Sequence, residues 1–197
     1  MTLRNDRARW GGVSQTFHWL IVAMILAQAV LALLFKQMHR GPETAVLIGV
    51  HKSLGITILV LAALRLSWRW ANPVPDLPGT LQPHERVLAR LSHGALYALL
   101  FAMPLTGWLG SSALGFPVRW FNLFAIPGPL AKDRVLGHAL YTTHSILALA
   151  LGLVLLLHIA GAVRHHWMLK DDVLRRMLPG SGVSRSASQG EPHRTRS

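Results

Sequence analysis

Cysteine is absent from all 197 residues. That excludes disulfides, thiolate-ligated metal centres and covalent haem attachment through a Cys-x-x-Cys-His motif, so any haem would be held non-covalently, as a b-type group. Acidic residues are scarce, with eight Asp and Glu against 20 Lys and Arg, for a formal charge of +12. Charged residues of both signs make up only 14% of the chain while 51% is hydrophobic, and the apolar residues gather into long runs. The basic surplus therefore points to the cytoplasmic side of a membrane protein and not to a nucleic-acid partner. The runs also hold almost no carboxylates, which disfavours a haem-free transporter carrying a cation on buried histidines, since the cation would lack counter-ligands.

Four apolar stretches are present, at 14–35, 46–68, 92–114 and 140–163. Each exceeds the ~20 residues that cross a ~30 Å hydrocarbon core. The first is too long for a signal-peptide core of about 7–15 residues and no small-residue cleavage site follows it, so it reads as a span. The third contains Met103-Pro104 and should kink. The pattern predicts an all-α integral membrane four-helix bundle over 14–179. A polar N-terminal segment over 1–13 precedes it, and a Ser/Arg/Gly-rich tail over 180–197, expected to be disordered, follows. The longest link, 115–137, carries aromatics and prolines (GFPVRWFNLFAIPGP) and reads as irregular.

Counting Lys and Arg orients the bundle. With both termini in the cytoplasm, the inner side holds Arg4, Arg7, Arg9, Arg65, Arg69, Arg86, Arg90, Arg164, Lys170, Arg175, Arg176 and the tail arginines. The outer side holds Lys36, Arg40, Lys52, Arg119, Lys132 and Arg134. The inner bias fixes the orientation.

Orientation then sorts the histidines by depth. His144 and His158 lie 14 residues apart in the fourth stretch, ~21 Å along the axis and only ~40° apart around it, so one helix presents an imidazole at each leaflet on one face. His51, early in the inward-running second helix, is level with His144. His18, early in the outward-running first helix, is level with His158. Ionisable side chains inside spans are functional candidates, and two imidazole pairs from different helices at two depths suit two bis-histidine haems in the bundle core. Gly55 and Gly152, near the ligands, would let a flat macrocycle approach. Arg65, 14 residues after His51, would face the inner haem and neutralise a propionate. The bland alternatives are helix-packing glycines, a snorkelling arginine and interfacial histidines.

Of the other histidines, His93 is level with the inner pair; with Arg90 it is a candidate quinone hydrogen-bond donor, or an interface residue. His138 lies on the outer side near a possible propionate. His165 and His166 read as a solvated basic cluster beyond the fourth helix, and His39, His84 and His193 fall in links or the tail.

The residues carry a family likeness. HisTrp at 18–19, HisLysSerLeuGlyIle at 51–56, LeuArgLeuSerTrpArg at 64–69, SerHisGlyAlaLeuTyr at 92–97, MetProLeuThrGly at 103–107 and ArgHisHisTrp at 164–167, in this order and spacing, resemble the bacterial cytochrome b561 family over about residues 10–179. The resemblance implies a four-helix membrane bundle with two haem b groups, axial ligands at His18, His51, His144 and His158, an inner-membrane location and electron exchange with ubiquinone. Some members are similar to superoxide oxidases, which oxidise superoxide and reduce ubiquinone; related diheme subunits anchor hydrogenases or other dehydrogenases. The partners implied are lipid, quinone and either superoxide or a soluble dehydrogenase.

Overall fold

A computed structural model describes residues 2–76 and 81–180; the tail expected to be disordered lies outside the described residues apart from Gly180. Four helices dominate: α1 (Gly12–Gln37), α2 (Pro42–Trp70), α3 (Pro83–Ala113) and α4 (Arg134–Trp167). All four are long and apolar enough to span a membrane.

Local chemistry sets their ends. Pro42 and Pro83 open α2 and α3 at the first helical position, where the missing N–H is no loss. Gln82 and Glu85 form a capping box on α3, the Gln82 amide donating to Glu85 Oε2 at 3.0 Å. Asp133 caps α4 by accepting from the Leu136 amide at 3.0 Å, and Arg164, His165 and His166 fill the last turn, where cations oppose the helix dipole.

The helices run up-down-up-down. α1 packs on α2, α2 on α3, and α3 most extensively on α4, whereas α1 and α4 approach each other more loosely. A slot therefore opens between the α1–α2 pair and α4. The buried apolar core is small, centred on Ile21, Ile58, Ala62 and Leu100, and the outward faces carry exposed Leu, Ile and Val suited to lipid. Pro104 lies inside α3, as the sequence predicts.

The link between α3 and α4 departs from the irregular reading. It contains a two-stranded antiparallel hairpin, β1 (Val118–Trp120) and β2 (Phe124–Ile126). Phe121 and Asn122 turn it with positive φ of 44° and 60°. Ser53 of α2 docks it: its hydroxyl accepts from the Phe121 amide (2.9 Å) and shares its one proton between the Gly49 carbonyl of its own helix (2.9 Å) and the Arg119 carbonyl (3.2 Å). Trp120 Nε1 donates to Thr57 Oγ1, one turn deeper on α2, at 3.0 Å. At the other end the N-terminal segment is tied down by Asn5, whose side chain bonds the Pro73 carbonyl, the Gly11 amide and Ser14 Oγ. The chain after α4 folds back on α1, where Trp19 Nε1 donates to the Met177 carbonyl at 2.8 Å.

Candidate functional site

The slot brings the histidines together in the pairs that depth matching predicts. The ring centres of His51 and His144 are 6.2 Å apart, and those of His18 and His158 are 6.4 Å apart. An imidazole–metal bond is about 2 Å and the bonded nitrogen lies ~1.1 Å from its ring centre, so two imidazoles on opposite sides of one ion stand about 6.2 Å apart. Both pairs have that spacing. Among the described residues no group of three or more His, Cys, Asp or Glu side chains gathers to bind a metal. Each pair thus supplies two ligands, and the remaining ligands of an ion held there would have to come with a cofactor.

The outer pair is the better furnished. His51 and His144 border one cavity of about 530 Å³, within the ~300–1,000 Å³ of cofactor sites. Gly55 and Gly152 line it, as the sequence predicts. A Cβ on Gly152 would meet nothing within 4 Å, and one on Gly55 would meet Gln28 Nε2 at 3.3 Å. Gln28 in turn donates to the His51 carbonyl at 3.0 Å, while His51 Nδ1 is buried without a hydrogen-bond partner. His144 Nδ1 lies 2.9 Å from the Met103 carbonyl. A carbonyl can only accept, so this bond puts the His144 proton on Nδ1 and leaves Nε2 free to bind a metal. Gly107, one turn further along α3, leaves room for the ring: a Cβ there would stand 3.0 Å from His144 Cε1. The residues present fit a b-type haem.

Met103 and Gly107 were not among the sequence candidates. Gly107 had a signal: it follows His93 by 14 residues, the same spacing that relates His144 to His158 and puts both positions on one face. The Met103 carbonyl had none, because any residue type supplies a backbone acceptor.

At the inner pair, Arg65 reaches His18: its NH1 is 3.1 Å from Nδ1, with the guanidinium over the Tyr97 ring. Arg65 thus lies at the level of the His18–His158 pair. Guanidinium only donates, so a neutral His18 accepting this bond keeps its proton on Nε2, and a metal on His18 and this hydrogen bond exclude each other. His93 packs on His158 with ring centres 5.3 Å apart, about 1 Å too close for an ion between them. His93 is therefore a neighbour of the inner pair, and His18 is the partner spaced for a shared ion. Arg90 is exposed on α3, one turn before His93, and His138 is exposed near the start of α4.

One histidine reading needs correction. α4 continues to Trp167, so His165 and His166 lie within the helix, and His165 does not face solvent. Its Nδ1 is 2.6 Å from Asp171 Oδ2 and its side chain is only 15% exposed, because the chain after α4 folds back and brings Asp171 over it.

Comparison with known proteins bears on the site. Residues 9–180 match the family described as prokaryotic cytochrome b561. The chain is 33% identical over 185 residues to cytochrome b561 homolog 2 of Escherichia coli (strain K12), covering 90% of this chain and 95% of that protein. It is 32% identical over 130 residues to the probable superoxide oxidase CybB of Yersinia pestis, covering 66% and 73%. It is 29% identical over 171 residues to cytochrome b562 of Cereibacter sphaeroides, covering 83% and 90%.

Proposed function

The chain belongs to the prokaryotic cytochrome b561 family, a multi-pass b-type membrane cytochrome of electron transfer, and from that premise we propose that it holds two haems and relays electrons from an outer donor to ubiquinone. His51 with His144 would hold one of the two haems, and His18 with His158 the other. The observation that carries this reading is the spacing of the two imidazole pairs, 6.2 and 6.4 Å between ring centres.

A haem held between two imidazoles would supply outer-sphere electron transfer. The protein's part is to fix the ligands and draw in the partners. Met103 holds His144 and Gly107 leaves room for its ring; Gln28 braces the backbone at His51; Arg65 neutralises a propionate at the inner level once it leaves His18. Lys36, Arg40, Arg119, Lys132 and Arg134 are exposed at the outer end, where Glu43 and Asp133 oppose them, and such a net positive face attracts an anion. Superoxide fits that face. Two superoxide anions would each give up one electron and leave as O₂, and one ubiquinone would take both electrons with two protons to become ubiquinol. His93, beside His158, is the candidate donor to a quinone carbonyl, with Arg90 one turn earlier. The likeness to a protein named probable superoxide oxidase supports the donor; the Lys and Arg count supports an orientation with both termini cytoplasmic.

The test begins with haem stoichiometry of the purified full-length protein. Two b-type haems per chain are expected. Mixing the oxidised protein with superoxide should reduce them within the mixing time, and adding ubiquinone should reoxidise them. A haem-free protein would end the reading. A diheme protein inert to superoxide but reduced by a co-purifying dehydrogenase would replace the donor.

A further inference from the structure

The cavity holding His51 and His144 is chemically uneven from end to end. Its inner floor is apolar, formed by Ile25, Ile58 and Leu155. Its outer part carries Lys36, in the last turn of α1, with Lys52 and Trp108, which directly follow His51 and Gly107 in sequence. Ile25 lies 11 residues inward of Lys36 and Leu155 11 residues inward of His144, ~16 Å in each case. The polar groups are thus gathered at the outer end and ligand level and are missing from the floor.

Those polar groups lack partners of the opposite kind. Trp108 Nε1 is buried without a hydrogen-bond acceptor, a costly state for an N–H group. Among the described residues neither Lys36 nor Lys52 pairs with a carboxylate; the nearest recorded company of Lys52 Nζ is the Phe116 ring, 5.7 Å from its centre. Gln28, Tyr141 and Ser145 also line the cavity, but its only cationic groups are the two ammoniums; with the indole N–H at the same end and an apolar floor, they call for a ligand that is anionic and acceptor-rich at one edge and apolar at the other.

We propose that Lys36, Lys52 and Trp108 form a carboxylate subsite that takes the propionate edge of the outer b-type group, so that this group sits with its carboxylates toward the outer surface and its apolar edge toward Ile25, Ile58 and Leu155. The proposal rests on the reading that His51 and His144 ligate a haem. It gives the two lysines a role beyond adding to the positive outer face: they hold the cofactor in register with its ligands, and their charge stabilises its reduced form.

The experiment uses full-length protein in neutral detergent, as wild type, Lys52→Gln and Trp108→Phe, each reconstituted with haem or with haem dimethyl ester, whose carboxylates are masked. Haem release to excess apomyoglobin and the midpoint potential of each haem are measured. With ordinary haem, each variant should release one of the two haems about tenfold faster. The Lys52→Gln variant should also shift the midpoint of that haem to a more negative value. The affected haem is the one that is missing from a His51→Ala protein. With the ester, wild type and variants should release it at one rate. Release at the wild-type rate from both variants, or the same acceleration with the ester, overturns the subsite. Haem analysis of the wild type reads the parent assignment separately: a single haem held by His18 and His158 overturns both.

Discussion

Four imidazoles stand here as two pairs, and single substitutions test whether each pair holds one haem. His51→Ala or His144→Ala is expected to lose about half of the bound haem and leave the other half spectrally intact; His18→Ala or His158→Ala should do the same for the other half. A double substitution within a pair should cost no more haem than either single one, whereas His51→Ala with His18→Ala should leave none. Haem-to-protein ratios decide this, and a shared loss between His18 and His51 variants would break the depth assignment. Gly107 supplies a sharper case, because it binds nothing itself. A methyl group there would stand 3.0 Å from the His144 ring, tighter than ordinary packing, so the imidazole must shift. Gly107→Ala should weaken outer haem retention by about tenfold, of order 1–2 kcal/mol, as overpacking does, with the inner haem unchanged in absorbance and potential. The histidines were legible from sequence because helix phase and membrane depth constrain each of them independently. The supporting partners were less so. Gly107 was readable only through its 14-residue offset from His93, and the Met103 carbonyl has no side-chain signature at all.

At the level of elements, the spans and the proline inside α3 followed from composition and length, while the hairpin did not. Strands of three residues are too short to show alternation, and the turn at Phe121 and Asn122 lacks the glycine that usually marks positive φ. What gives the hairpin its place is Ser53, fully buried on α2 and bonded to two backbone groups of the turn. Ser53 stands two residues from His51, well inside the predicted span. Backbone groups reaching that depth need internal partners, since lipid offers none. Ser53→Ala should therefore leave the Phe121 amide unpaired, at a cost of about 1–3 kcal/mol, while the Arg119 carbonyl keeps the Asn122 amide as its donor. The hairpin should loosen while the four helices persist. Hydrogen exchange over 116–126 should rise by about tenfold or more with the helices unchanged. Val118, 3% exposed and part of the outer cavity wall, should loosen with it and speed haem release from that cavity. Unchanged exchange would mean that Trp120 and Thr57 alone hold the hairpin.

At the scale of the whole molecule both ends are basic, and the end nearer the His51–His144 cavity makes the last prediction. Lys36, Arg40, Arg119, Lys132 and Arg134 sit exposed around the end nearer the His51–His144 cavity, so an anionic donor approaching from that side meets attraction before contact. Such steering acts through solvent and is cut off within about 10 Å at 0.1 M salt and about 30 Å at 0.01 M. If superoxide is the donor, its second-order rate of haem reduction in neutral detergent should fall by about tenfold between ~0.01 and ~0.5 M salt. Reduction by a neutral quinol should hold nearly constant over the same range. Reversing Lys132 and Arg134 together to Glu, at exposed positions outside both histidine pairs, should lower the low-salt rate with superoxide and flatten its salt dependence, leaving haem content and the quinol rate alone. The two measurements separate attraction from chemistry: a salt-independent superoxide rate would mean that the basic outer end serves lipid headgroups and takes no part in gathering the substrate.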